Sequence, residues 1–204
     1  MAPPTIAEII KNTEFKPELV QRIAFRDTQP TLKVVPYNPE WPKIFASIKQ
    51  QIITALGNDS VIAVHHTGST SIPDLPAKPI IDIDLVVRDI TAESEYVAPL
   101  EAAGFRFLLR EPHWHGHRFF YAYVPYAVNL HVWGPDSPEV VRHRIFRERI
   151  LGNAEDKAAY VEAKMMAAEQ IGEKGGDMQD YNDLKEDTIR KILKNAFREL
   201  GYIE

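Results

Sequence analysis

The sequence predicts an α/β protein in which a mixed β-sheet comes first and helices fill the C-terminal half. Two observations predict it. Strand-like runs rich in Ile, Val, Leu and aromatic residues crowd between 61 and 133, interleaved with helix-like segments. After 138 the pattern changes to three long helical stretches with no strand between them. A chain of 204 residues suits one domain, and its 45% apolar content is enough for a core.

Thr5 with Glu8 three residues later reads as a capping box that opens a short helix. Pro17 suits the first turn of a second helix, with Leu19, Val20, Ile23 and Phe25 as its apolar side, until "TQPT" breaks the pattern. Residues 1–31 therefore read as an N-terminal helical extension, and residues 32–204 as the main domain. "KVVPYNPEWP" is expected to form a short strand and a turn. A helix from about 42 to 56 follows, with Ile44, Ile48, Ile52 and Leu56 four apart, closed by Gly57 and Asn58. Strands are expected over 61–66 and 80–87, a helix over 91–103 ended by Gly104, and a strand over 105–109. Arg118 to Val124 and Ala127 to Trp133 read as a hairpin around Pro125-Tyr126. The last helices should span roughly 138–151, 155–172 and 179–200, with "GEKGGD" as the loop before the third.

Composition narrows the function classes. The formal charge of -5 argues against general nucleic-acid binding and leaves room for a local basic patch. With no cysteine there is no disulfide and no thiolate-bound zinc. The N-terminus lacks the basic segment and apolar run of a signal peptide, and no uncharged stretch is long enough to span a bilayer as a helix. The expectation is a soluble, cytoplasmic protein without a membrane partner.

The stretch "HHTGSTSIPDLPAKPIIDIDLVV" holds the strongest chemical signal. Asp82 and Asp84 are two apart on a strand, so they share a face with alpha carbons roughly 6.5–7 Å apart. Two carboxylates so placed can converge on a hard cation, and two-metal phosphoryl transfer needs such a pair. The plain structural alternative is a solvated strand end. Just upstream, Gly68-Ser69 can turn backbone N–H groups toward an anion, because glycine permits positive φ. An ordinary turn would need the same residues. Together the two features describe a phosphate cradle beside a metal clamp.

"GS…DxD" after a strand resembles the signature of the polymerase β-type nucleotidyltransferase superfamily. More closely, "PYNPEWP", "HTGSTSIPDLPAKPIIDI", "FRERIL", Tyr160 with Lys164 and Tyr181 with Lys185 resemble the GrpB family of that superfamily, over roughly residues 34–200. Many GrpB-like sequences carry an apolar residue where Asp84 stands, so Asp84 restores the full D-x-D. The resemblance implies a nucleotidyltransferase domain that uses Mg²⁺ or Mn²⁺ and takes a nucleoside triphosphate and an unnamed acceptor. Asp82 and Asp84 would hold the metal, and Gly68 and Ser69 would cradle the phosphates.

Superfamily members draw a third carboxylate from a later strand, so the hairpin faces matter. With a two- or four-residue loop, Tyr123 pairs with Val128 and Phe120 with His131. Arg118, Phe120, Ala122, Asn129, His131 and Trp133 then share the mixed face. That face offers Asn129 or His131 where an acid is expected: Asn129 as a metal ligand, His131 as a ligand for manganese or zinc, a base or a plain hydrogen-bond partner, and Arg118 as a phosphate fork or the partner of a surface acid. Lys78, between two proline-containing turns, is a further phosphate candidate. Tyr160/Lys164 and Tyr181/Lys185 are i,i+4 pairs that could stack on a base and neutralise phosphate, or simply pack as lysines passing an aromatic ring. Arg142, Arg144, Arg147 and Arg149 read as a solvated helix face. His113, His115 and His117 alternate in "HWHGH", which reads as a substrate-facing loop or the centre of a metal hydrolase. A nucleotide- or partner-binding protein that has lost catalysis is the remaining alternative.

Overall fold

The computed structural model describes residues 2–28, 32–123 and 125–204. Most of the "TQPT" break and Val124, the last residue expected of the first hairpin strand, lie outside them. The elements run α1 (Ile6–Ile10), β1 (Gln21–Arg22), α2 (Trp41–Leu56), β2 (Val61–Thr67), β3 (Ile80–Val87), α3 (Glu93–Ala102), β4 (Arg106–Glu111), β5 (His117–Ala122), β6 (Ala127–Trp133), α4 (Pro138–Gly152), α5 (Ala154–Lys174) and α6 (Met178–Glu199). Single 3₁₀ turns occupy Pro17–Leu19 and Ser69–Ser71. The sheet order is β1-β4-β5-β6-β3-β2. Among the described residues only β3 and β6 run parallel; every other pair is antiparallel, which makes the sheet mixed.

The sheet's two faces differ in chemistry. On one, Ile81, Ile83, Leu85 and Val87 of β3 and Val128, Leu130 and Val132 of β6 pack with Ile48, Ile52 and Leu56 of α2 and Tyr96 and Leu100 of α3. That burial is the main core, and it follows the period-2 alternation of β3 and the four-residue spacing of α2. The opposite face carries Asp82, Asp84, Asn129 and His131, and α5 and α6 line a cavity over it. Gly57 ends α2 at φ 75°, a left-handed cap that glycine takes without a side-chain clash. No helix of the described residues is long and apolar enough to cross a membrane.

Three expectations need correction. Among the described residues of the N-terminal segment, only the stretch opened by the Thr5–Glu8 capping box forms an α-helix. Past one 3₁₀ turn at Pro17, Gln21 and Arg22 pair with Arg110 and Leu109 as an edge strand, and Ile23 N–H donates to the Leu108 carbonyl. Sheet pairing here overrides the helical pattern. Arg142 of α4 is buried and donates to the Ile9 carbonyl and Asn12 Oδ1, so it anchors α1 rather than facing solvent. The hairpin register differs by one residue. Phe119 lies opposite His131, Phe120 opposite Leu130 and Ala122 opposite Val128. Phe120 is fully buried and stacks on Phe107 with ring centroids 4.6 Å apart. A one-residue slip would turn it out of that core, because side chains alternate between faces.

Candidate functional site

The bend after β2 packs directly against the first aspartate. Gly68 has φ 64° and ψ -170°, a conformation reserved for glycine. A Cβ built there would lie 2.2 Å from Asp82 Oδ2. The bend is braced from behind: Ser71 Oγ donates to the Gly68 carbonyl at 2.6 Å and Thr70 Oγ1 to the Ile80 carbonyl at 3.0 Å. The Ser69 and Tyr160 hydroxyls are 3.0 Å apart. Asn129 Nδ2 donates to Asp82 Oδ1 at 2.7 Å, and Arg26 donates to Asn129 Oδ1 at 2.8 Å. Among the described residues nothing donates to Asp82 Oδ2.

These groups line a cavity of about 560 Å³ under α5 and α6. Five cationic side chains reach it, Arg22, Arg26, Lys78, Lys164 and Lys185, against the carboxylates of Asp82 and Asp177. Lys164 and Lys185 are buried. Lys164 Nζ donates to the Pro76 carbonyl at 2.6 Å. Lys78 and Lys185 lie over the Tyr181 ring, 3.7 and 4.2 Å from its centroid, and Lys164 lies 5.2 Å from that of Tyr160. Among the described residues none of the three lysines has a carboxylate within ion-pair distance. Burial, then mutual repulsion, lowers Lys78 and Lys164 to about 7. Burial lowers Lys185 to about 8. Ammonium groups that outnumber the carboxylates of their cavity and form no direct ion pair there favour an anionic ligand.

Asp84 stands apart from this cavity. It is 1% exposed, and both oxygens are taken: Trp133 Nε1 donates to Oδ1 and His143 Nδ1 bonds Oδ2, each at 2.8 Å. Burial alone would discharge both partners. The Asp84 carboxylate nevertheless holds His143 up at about 9, and His143 in turn holds Asp84 below its ordinary value. The pair is therefore an ion pair between a buried Asp84 and a half-buried His143, whose side chain is 31% exposed, on the side of the sheet face nearer α4. A two-acid magnesium clamp does not fit these side chains, and no group of three His, Asp or Glu among the described residues is disposed to hold a metal. Asn129 is no vacant ligand either, since both ends of its amide are engaged. One magnesium ion on Asp82 fits the open Oδ2, provided that substrate phosphates and water complete its shell.

Other expected residues fall elsewhere. Arg118 is on the opposite face, bound to Glu93 at 2.9 Å and to the Gly116 carbonyl, because the hairpin register turns it there. His131 does line the cavity. Its pKa is lowered to about 4, by burial first and then by His117. The three alternating histidines do not converge. His117 begins β5 and is buried against Glu111 and His131, while His115 sits in the turn at φ 51°. Tyr160 packs with Ile72, Leu75, Ile150 and Ile192, which leaves its hydroxyl rather than its ring for the cavity. Arg147 donates to the Ser71 carbonyl and Arg149 to Asp156, so both brace structure.

Sequence reasoning missed Arg26, His143 and the Glu111–His117 pair. Arg26 follows the mis-assigned helix, and its reach depends on the edge strand β1. A signal for His143 did exist: a carboxylate on a strand as apolar as β3 needs a buried cationic partner.

The family profile described as GrpB protein matches residues 31–195. A UPF0157 protein of Halalkalibacterium halodurans is 34% identical over 196 residues, covering 95% of this chain and 98% of that protein. A UPF0157 protein of Streptomyces coelicolor is 38% identical over 160 residues, 78% of this chain and 81% of its own length. A dephospho-CoA kinase of Mycolicibacterium paratuberculosis is 28% identical, with 81% of this chain aligned to 46% of that protein. The crystal structure of conserved protein GrpB from Enterococcus faecalis superposes with a TM-score of 0.72 at 26% identity, over 82% of this chain and 99% of that one.

Proposed function

This chain belongs to the GrpB family, and we propose that its cavity binds a nucleoside triphosphate and transfers the nucleoside monophosphate to an acceptor hydroxyl or phosphate, the bond between the α- and β-phosphates breaking as pyrophosphate leaves. The observation that carries the proposal is that Lys78, Lys164 and Lys185, none with a carboxylate within ion-pair distance among the described residues, line one cavity with the Gly68–Ser69 bend and Asp82. A polyphosphate supplies the missing negative charge. Lys164 and Lys185 come from α5 and α6, Lys78 from the loop before β3, and Arg26 from the N-terminal segment, so the phosphate chain would be gripped from several sides. Asp82 would hold a magnesium ion that arrives with the triphosphate, and that ion would neutralise charge on the phosphates. Ser69, with the first N–H groups of its 3₁₀ turn, supplies donors at the bend.

The second reading is a nucleotide-binding protein of the same fold without turnover. The closed Asp84–His143 pair favours it, because the second carboxylate expected for a two-metal site is committed to the protein. A kinase reading borrowed from the dephospho-CoA kinase relative has less support, since this chain has no G-x-x-x-x-G-K-[ST] stretch. Calorimetric titration with the magnesium complexes of ATP, CTP, GTP and UTP tests binding, and release of pyrophosphate from labelled triphosphates tests transfer. Binding with turnover supports the first reading, and binding without turnover the second. If no triphosphate binds, both fail.

A further inference from the structure

We propose that Glu111 and His117 are positioning residues that fix His131 with an unprotonated Nε2 toward the cavity, where it accepts a hydrogen bond from a hydroxyl of the bound substrates. The proposal rests on the nucleotide reading above for the identity of those substrates. Its tautomer argument does not.

The three groups lie side by side on β4, β5 and β6. Glu111 is the register partner of His117, and His131 is the partner of the neighbouring Phe119. Glu111 Oε2 is 2.7 Å from His117 Nδ1, and His117 Nε2 is 2.9 Å from His131 Nδ1. Glu111 and His117 are 6% and 2% exposed, so the chain of bonds is closed to water at its inner end. Stacking on Trp133, at 4.3 Å between centroids, and the edge of Trp114, at 4.9 Å, hold the His117 ring in place.

Burial raises the Glu111 carboxyl above its ordinary value; in its ionised form it only accepts hydrogen bonds, and His117 then carries its proton on Nδ1. A neutral His117 then has a bare Nε2, which accepts from His131 only if His131 is protonated on Nδ1. That leaves His131 Nε2 as a lone pair, on a ring that lines the cavity. Burial keeps both rings neutral, His117 at about 3 and His131 at about 4. The neighbouring titratable groups are His117, Asp84, Asp82 and His143 around His131, and His113, His131 and Arg22 near Glu111. In a cavity lined with donor-rich cations, this nitrogen is a fixed acceptor. It selects a substrate that presents a donor there, such as a ribose hydroxyl or the acceptor's hydroxyl, rather than a bare phosphate chain.

The direct test is long-range nitrogen–proton correlation on the ¹⁵N-labelled protein at neutral pH. The expected result is the Nδ1–H tautomer at both His117 and His131; Nε2–H at His131 overturns the proposal. A protein that binds no nucleotide but shows both Nδ1–H tautomers overturns the nucleotide reading and leaves this assignment standing. For function, His131→Phe removes the acceptor and His131→Gln can restore one through its carbonyl. If the donor is a ribose hydroxyl, His131→Phe weakens ATP at least tenfold and 2′,3′-dideoxy-ATP not at all. If it belongs to the acceptor, the same change spares ATP affinity and lowers turnover at least tenfold. In either case His131→Gln recovers part of the loss. A His131→Phe protein that folds and changes neither quantity contradicts the role.

Discussion

Asp82 and Asp84 are two residues apart on one face of one strand, yet their surroundings are opposite. Asp82 has one oxygen held by Asn129 and the other turned to the glycine bend and a cavity of buried lysines. Asp84 has both oxygens bonded within the protein, to an indole and an imidazole that it keeps charged. Equal spacing therefore does not give equal surroundings. What separates the two is the helix above: α5 and α6 line a cavity over Asp82, and α4 brings His143 onto Asp84. The first carboxylate is available to a ligand and the second is part of the structure.

The largest expected effect breaks the closed end. Asp84→Ala strands His143 and Trp133 without their partner and should destabilise the fold by about 3–5 kcal/mol. Asp82→Ala removes one partly exposed hydrogen bond and should cost no more than about 1.5 kcal/mol. Urea unfolding of both variants checks the difference, and equal losses would erase the contrast.

At the open end the lysines should matter for ligand more than for stability. Lys164→Met or Lys185→Met should weaken triphosphate binding by about 1.5–3 kcal/mol, the range for a charge-assisted hydrogen bond, or roughly ten- to hundredfold. Removing a buried amine that forms no ion pair should leave the fold as stable or more so. Calorimetry and unfolding on the same samples measure both.

Gly68→Ala places a methyl where Asp82 Oδ2 now lies and forces a glycine-only backbone angle. A cost of about 1–3 kcal/mol in stability, with reduced ligand affinity, is expected. Gly57→Ala provides the control: φ is also positive there, but among the described residues nothing outside the adjoining backbone lies within 4 Å of the added carbon. It should affect stability alone.

The smallest effect is the response to alkali, where the two ends have opposite signs. His143 is raised to about 9 when folded, so its pair with Asp84 contributes fully below about 6.5 and is lost as pH rises through about 9. The lysines are lowered to about 7 or 8, so the unfolded chain binds more protons than the folded one from there up to about 10.4, and stability from this source rises with pH. A polyanion that restores their charge should take up protons on binding near pH 8. Titration in buffers of different ionisation enthalpy reads that uptake, and the lysine variants should reduce it.

Most of the fold was legible because its cues are local. The alternation of β3 matches its observed bounds, the spacing of α2 and the three late helices fall within a few residues of expectation, and Thr5 with Glu8 does form the capping box. The structure also brings Gly68, Ser69, Asp82, Lys78, Lys164 and Lys185 to one cavity. What was not legible depends on partners distant in sequence. The hairpin register is fixed by Phe120 packing on Phe107, and an error of one residue there moved Arg118 to the wrong face. The closure of Asp84 depends on His143, 59 positions away on a helix whose arginines dominate its pattern. Arg26 joins the site only because a two-residue strand displaces the expected helix.

The central claim is that the Asp82 cavity, and not the Asp84 side, takes a polyphosphate. Isothermal titration of magnesium-ATP into the native chain, Lys164→Met and Asp84→Asn tests it most directly. The account predicts saturable binding to the native protein, a loss of at least tenfold in Lys164→Met, and near-native affinity in any Asp84→Asn protein that remains folded. Binding lost in Asp84→Asn and unchanged in Lys164→Met would contradict it.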